Sequence, residues 1–118
     1  MTAKIRIKDL ALRAVIGLND WEREKKQDLL VNIELEFESG PGLESDSVEH
    51  TVDYKAINKS VIDGIESSEF FLLESLAGHV LKIVMENPRV LAATVEVDKP
   101  HSLRFTRSVS VVVTARRE

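Results

Sequence analysis

Residues 28–38 constrain the fold of this chain more than any other stretch. Leu29, Val31, Ile33, Leu35 and Phe37 occupy every second position, and Leu30, Asn32, Glu34, Glu36 and Glu38 fall between them. Successive side chains of a strand point to opposite faces. The stretch is therefore a strand with one buried face and one largely solvated face, as in an antiparallel sheet covered on a single side. A helix would scatter both sets around its axis. Ser39-Gly40-Pro41-Gly42 ends the strand. The rest of the chain must supply strands to pair with it and a layer to cover it.

Both can be read. Ile5 and Ile7 alternate with Lys4, Arg6 and Lys8, and after Lys8-Asp9 the apolar phase moves by one residue to Leu10, Leu12, Ala14 and Ile16. A one-residue slip in a period of two is what a β-bulge produces. Gly17 ends this strand, residues 18–27 read as a polar connection, and residues 43–52 read as an acidic loop. Asp53 is placed to cap a helix from Tyr54 to about Ser67, with Ile57, Val61, Ile62 and Ile65 at helical spacing. A second helix follows Phe70-Phe71. Its broad apolar face is Leu72, Leu73, Leu76, Ala77, Val80, Ile83 and Val84, and Asn87-Pro88 stops it. Ala93, Val95 and Val97, then Val109, Val111 and Val113, mark two closing strands. The expected architecture is α+β in one domain, 1–118. Its order is β-β-α-α-β-β, with a four-stranded antiparallel sheet covered on one face by two helices. The sheet edges would be left unpaired, and an oligomer that joins them into a barrel removes that liability.

Composition narrows the function. Sixteen Lys and Arg against 20 Asp and Glu give a net charge of −4, so the basic surplus that nucleic acid demands is missing. The chain has no cysteine, which excludes a disulfide scaffold, a thiol nucleophile and a Cys-ligated metal. Its three histidines are scattered, and no metal or other cofactor is expected. No apolar run approaches the ~20 residues that span a bilayer, and the N-terminus alternates where a signal peptide would be continuously apolar. A cytoplasmic location, with no membrane partner, is the expectation.

Ionisable residues at element ends are candidates for chemistry. Glu22 follows the first strand, Tyr54 opens the first helix, Glu74 lies in the first turn of the second helix, and Lys99 ends the third strand. Each also has an ordinary reading, as a solvated charge or, for Tyr54, a packing residue. Glu74 lies between Leu73 and Leu76, which suggests that it is held near an apolar face, at a helix N-terminus that favours a carboxylate. His101, Arg104 and Arg107 lie in the loop after Lys99 and could meet a phosphorylated ligand, or be an ordinary basic loop.

Several segments carry more. Ile16-Gly17-Leu18-Asn19-Asp20-Trp21-Glu22 resembles the I-G-x-x-x-x-E signature of the dihydroneopterin aldolase family. Lys26-Gln27-Asp28-Leu29-Leu30-Val31-Asn32 resembles the start of that family's second strand. Val52-Asp53-Tyr54 resembles its D/N-Y helix start, Phe71-Leu72-Leu73-Glu74-Ser75-Leu76 its L-x-E-x-L pterin anchor, and Val97-Asp98-Lys99-Pro100 its K-P strand end. The resemblances run in order over nearly the whole chain.

The resemblance implies the tunnelling fold, with sheets joined into an oligomeric barrel. It implies a homo-oligomer, an octamer of two stacked tetrameric rings, with sites between subunits and no metal. It implies a pterin substrate with Glu22, Tyr54 and Lys99 as catalytic residues. Glu74 and the backbone around Leu18, Leu72, Leu73 and a neighbour's Val52 would bind the ring, and His101 and Arg104 would serve a phosphorylated side chain. The family has two branches, an aldolase of folate synthesis and a dihydroneopterin triphosphate 2′-epimerase. His101-Ser102-Leu103-Arg104-Phe105, followed by Ser108-Val109-Ser110, is similar to the epimerase segment K-x-H-A-L-R-Y-x-x-S-V-S. Trp21-Glu22 and Lys99-Pro100 are more like the aldolase. The epimerase is the preferred expectation and the aldolase the alternative. A non-catalytic oligomeric pterin-binding protein is the third, although a scaffold would need none of Glu22, Tyr54, Glu74 and Lys99.

Overall fold

A computed structural model describes residues 1–41 and 43–118 in full and the backbone of Gly42. Strands β1 (Thr2–Ile16) and β2 (Gln27–Glu38) form a long antiparallel pair joined through a short helix α1 (Asp20–Glu24). Their register slips between Ile7 and Leu10, where the apolar phase changes in the sequence. Asp9 takes a positive φ of 52° there, and its N–H donates to Asn32 Oδ1 at 2.8 Å, so the bulged backbone keeps a partner.

The acidic segment is not bare loop. It holds a turn of helix α2 (Gly42–Ser45) and a 3-10 turn at Val48–His50. Helix α3 (Tyr54–Glu66) then starts as expected, with Asp53 Oδ1 accepting from the Ala56 N–H at 3.0 Å. A two-residue strand β3 (Glu69–Phe70) precedes helix α4 (Leu73–Met85). Strands β4 (Val90–Pro100) and β5 (Ser108–Arg116) complete the fold.

The sheet order is β3-β1-β2-β4-β5, with every long pairing antiparallel. The four expected strands are all present. The fifth, β3, lies parallel to the last residues of β1, and its two residues are too few to carry a period. Helices α3 and α4 cover one face. Val31, Ile33 and Leu35 of β2 and Val95 and Val97 of β4 are buried against Val61 and Ile65 of α3 and Leu76, Val80 and Val84 of α4. Each such side chain contributes roughly 1.5–3 kcal/mol of burial. Gly64 lets the helices approach, since a Cβ there would lie 2.5 Å from Ile83 Cδ1 and 3.2 Å from His79 Nε2.

The other face carries charge pairs, among them Arg6–Glu34 at 2.8 Å and Arg116–Glu36 at 2.7 Å. Among the described residues β1 is paired along its outer side only at Val15 and Ile16, and β5 is the opposite edge of the sheet. No helix among the described residues is long and apolar enough to cross a membrane.

Candidate active site

The end of the sheet where β1 stops gathers most of the ionisable residues singled out above. Gly17 leaves the strand with φ of +130°, a conformation costly for any residue with a Cβ. The turn sends Asn19 into α1, and the helix carries the Glu22 side chain back over Gly17. A Cβ at Gly17 would overlap the Glu22 carboxylate, so only glycine fits at this position. Glu22 is 5% exposed. A buried carboxylate must be paired and hydrogen-bonded, and four donors meet this one. Lys99 Nζ, at the end of β4, donates to Oε2 in a short ion-paired hydrogen bond. Gln27 Nε2 donates to the same oxygen at 3.2 Å and also to the Ile16 carbonyl at 2.7 Å. Asn19 donates to Oε1 through Nδ2 at 2.9 Å and through its backbone N–H at 3.2 Å. Burial pushes the carboxyl pKa up, but these donors, Lys99 foremost, outweigh it and bring it from 4.5 to about 2. Glu22 is therefore an anion throughout the neutral range.

Arg23 ties this turn to the start of α4. Its Nη1 donates to the Phe70 carbonyl at 2.6 Å and the Gly17 carbonyl at 3.3 Å, and its guanidinium lies 4.1 Å from the centre of the Phe71 ring. The Gly17 N–H also donates to the Phe70 carbonyl at 3.2 Å. Leu18, Leu72, Leu73 and Glu74 are thus on the same end of the molecule as Glu22 and Lys99. Leu18 and Leu72 are exposed and Leu73 is buried. Glu74 corrects one expectation. It is exposed and not held against an apolar face, because each helical step turns by about 100° and carries it off the stripe that Leu73 and Leu76 bury. Its place in the first turn of α4 still favours a carboxylate.

Tyr54 and Val52 lie elsewhere. With Asp53, Lys55, Pro88 and Arg89 they line a cavity of about 610 Å³ beside the start of α3 and the end of α4. Val52 is buried and Tyr54 is 51% exposed. Each helix has 13 residues and spans about 20 Å. The chain thus brings Glu22, Lys99 and the Leu72–Glu74 segment to one end of the helical layer and Val52 and Tyr54 to the other. In the β4–β5 loop, His101 takes φ of +60° and its N–H donates to the Arg107 carbonyl at 3.0 Å. Arg104 lies over Phe105, which is 98% exposed, and Arg107 is exposed as well.

Comparison with known proteins gives this arrangement its context. The family model described as dihydroneopterin aldolase (FolB) matches residues 5–114. The chain belongs to the dihydroneopterin aldolase family. Within it, the chain is 44% identical over 115 residues to a dihydroneopterin triphosphate 2′-epimerase of Pseudomonas aeruginosa, covering 98% of this chain and 94% of that protein. It is 27% identical over 110 residues to the dihydroneopterin aldolase of Haemophilus influenzae, covering 93% of each. The crystal structure of Escherichia coli dihydroneopterin aldolase in complex with neopterin superposes with a TM-score of 0.89 at 24% identity, covering 96% of this chain and 98% of that one. The family fold expected from the sequence motifs is therefore present. The matched segments include Gly17, Asn19 and Gln27 without giving them a part in the site, and Arg23 lies outside them. For Asn19 a local signal exists, since Asn followed three residues later by Glu is a helix-start pattern. Gln27 and Arg23 act across 5 and 47 residues of chain, and nothing local marks them.

Proposed function

We propose that this chain is a dihydroneopterin triphosphate 2′-epimerase that inverts C2′ of the pterin side chain by retro-aldol cleavage and re-addition. The observation that carries this reading is the buried Glu22–Lys99 pair beside the start of α4, in a chain 44% identical to a protein of that name.

The steps follow from the residue types. Glu74 accepts from the 2-amino group and ring N–H of the pterin, two donors for one carboxylate. The backbone around Leu18, Leu72 and Leu73 frames the ring. Glu22, with a pKa of about 2, is too weak a base to take a hydroxyl proton by itself. Its task is to hold Lys99, and Lys99, with a water, relays the proton of the 2′-hydroxyl to the ring nitrogen, giving up one proton as it gains the other. As that O–H bond breaks, the C2′–O bond becomes a carbonyl. The C1′–C2′ bond breaks, and its electron pair moves into the ring C=N system, which takes up a proton at nitrogen. The ring is thus the electron sink that other aldolases make with a Schiff base. The aldehyde turns over and C1′ adds to its other face, restoring the bond with C2′ inverted. Tyr54 manages the proton at the enol-like intermediate. If carbon is protonated there and the aldehyde leaves, the products are 6-hydroxymethyl-7,8-dihydropterin and, from the unphosphorylated substrate, glycolaldehyde. That aldolase outcome is the second reading, favoured by the aldolase-like Trp21-Glu22 and Lys99-Pro100 pairs, and some of it should accompany epimerisation.

Tyr54 and Val52 lie at the end of the helical layer opposite Lys99 within one chain, so they would act in the site of a neighbouring copy. The outer edges of β1 and β5 suit pairing of neighbours into a ring, and two stacked tetrameric rings give the proposed octamer. The test is to incubate the protein separately with dihydroneopterin and its triphosphate and resolve the pterin products by chromatography. Mainly monapterin triphosphate is the expected result. Mainly 6-hydroxymethyl-dihydropterin would select the aldolase, and no turnover of either would leave a binding protein.

A further inference from the structure

A recess of about 660 Å³ lies at the same end of the sheet as the Glu22–Lys99 pair, neither of which lines it, and its rim carries Arg13, Lys26, Gln27, Asp28, Pro100 and His101. Gln27 belongs to both places, because its Nε2 donates to Glu22 Oε2 at 3.2 Å. Pro100 directly follows Lys99. We infer that this recess is a polyphosphate subsite in which Arg13, Lys26 and His101 hold the phosphate chain of the substrate. The inference rests on reading the chain as an enzyme of a phosphorylated pterin.

The chemistry of the substrate sets the direction. The triphosphate hangs on C3′, one carbon beyond the reacting C2′. With C2′ at Lys99 and the ring at the start of α4, phosphates that leave Lys99 away from α4 would pass around the end of the sheet toward its open face. Arg13 follows Leu12 and precedes Ala14, which turn toward the core, so its exposed side chain belongs to the sheet face that the helices do not cover.

The charges suit an anion. Three basic side chains stand against one acid, Asp28. Arg13 Nη2 donates to the Lys26 carbonyl at 3.2 Å, which orients the guanidinium fork, and its Nε pairs with Asp28 at 3.2 Å. Both partners of that pair are largely exposed. Such pairs are weak, and a multiply charged phosphate displaces the carboxylate readily. The loop arginine Arg104, by contrast, has its guanidinium over the ring of its neighbour Phe105, and it is not part of the recess lining. The phosphate contacts thus pass from the loop arginines to residues of β1, the start of β2 and His101.

The probe is inorganic tripolyphosphate, titrated into the intact protein by calorimetry, beside kcat/KM for dihydroneopterin triphosphate and dihydroneopterin. Arg13→Ala/Lys26→Ala should weaken tripolyphosphate binding by about tenfold or more and lower the preference for the triphosphate by a similar factor. Asp28→Asn should strengthen binding several-fold, a gain that a folding defect would not produce. Unchanged binding and preference in the double variant would overturn the inference. So would transfer of the effect to Arg104→Ala/Arg107→Ala. If the wild-type protein turned over neither pterin, the functional reading would fall, while the tripolyphosphate titrations would still decide the recess.

Discussion

The two ends of the helical layer are built on different terms. At one end Glu22 is 5% exposed, its carboxylate receives four hydrogen bonds, and Arg23 staples the next segment in place. At the other, Tyr54 is half exposed at the mouth of a cavity of about 610 Å³. At the first end every hydrogen-bond partner of Glu22 comes from the same chain and holds its side chain in place, which is what positioned acid–base chemistry requires. The second offers an open wall and a phenol. Our account assigns them to the two halves of one site, each supplied by a different copy.

The largest break in this contrast comes from Lys99→Ala. In the proposed mechanism it strips the pair of its proton-transferring member, and it leaves Glu22 buried without its cation. Turnover should fall by about 10²–10⁴. Stability should fall by roughly 3–5 kcal/mol, the usual cost of orphaning one partner of a buried pair, read by urea unfolding. Acid separates the ends without mutation. The folded pKa of Glu22 lies near 2, below the 4.5 of the free group, so its contribution is fully present above about pH 4.5 and is lost as pH falls toward 2. Denaturation midpoints measured down that range should drop by an amount equivalent to about 3 kcal/mol, and Glu22→Gln should abolish that part of the acid dependence. Gly17→Ala comes next. The added methyl must displace the carboxylate in a conformation of φ +130°, a strain of about 1–3 kcal/mol, and turnover should fall with it. At the Tyr54 end, Asp53→Ala removes the cap of α3 and should cost only about 1 kcal/mol by thermal unfolding. A larger loss there than at Gly17 would contradict the view that the Glu22 end is the tightly built one.

How much of this could be read without coordinates depended on whether a residue's role was periodic or tertiary. The alternation through Leu29–Phe37, the slip at Asp9 and the stop at Asn87-Pro88 repeat or break a local pattern, and the strands and both main helices followed from them. Helix α1 escaped because its five residues bury only Glu22, so no apolar stripe announces it. Glu22 and Lys99 were legible as residues at element ends and as motif matches. Their contact is a fact of how β4 lies beside β2 and was not legible. The exposed setting of Glu74 was misread from neighbours that a helix turns to another side. Arg13 on β1 and Lys26 just before β2 gave no signal, since a charged residue on or beside a strand looks like ordinary solvated surface until the fold sets it beside Gln27 and His101.

The shared site is tested most directly by mixing two variants, Lys99→Ala and Tyr54→Phe, each expected to be inactive by itself. The two are unfolded together, refolded as mixed oligomers and assayed with dihydroneopterin triphosphate. Our account predicts that the mixture turns over substrate when neither parent does, because some sites then combine an intact Lys99 end from one copy with an intact Tyr54 end from another. Mixed oligomers that stay as inactive as their parents would contradict it.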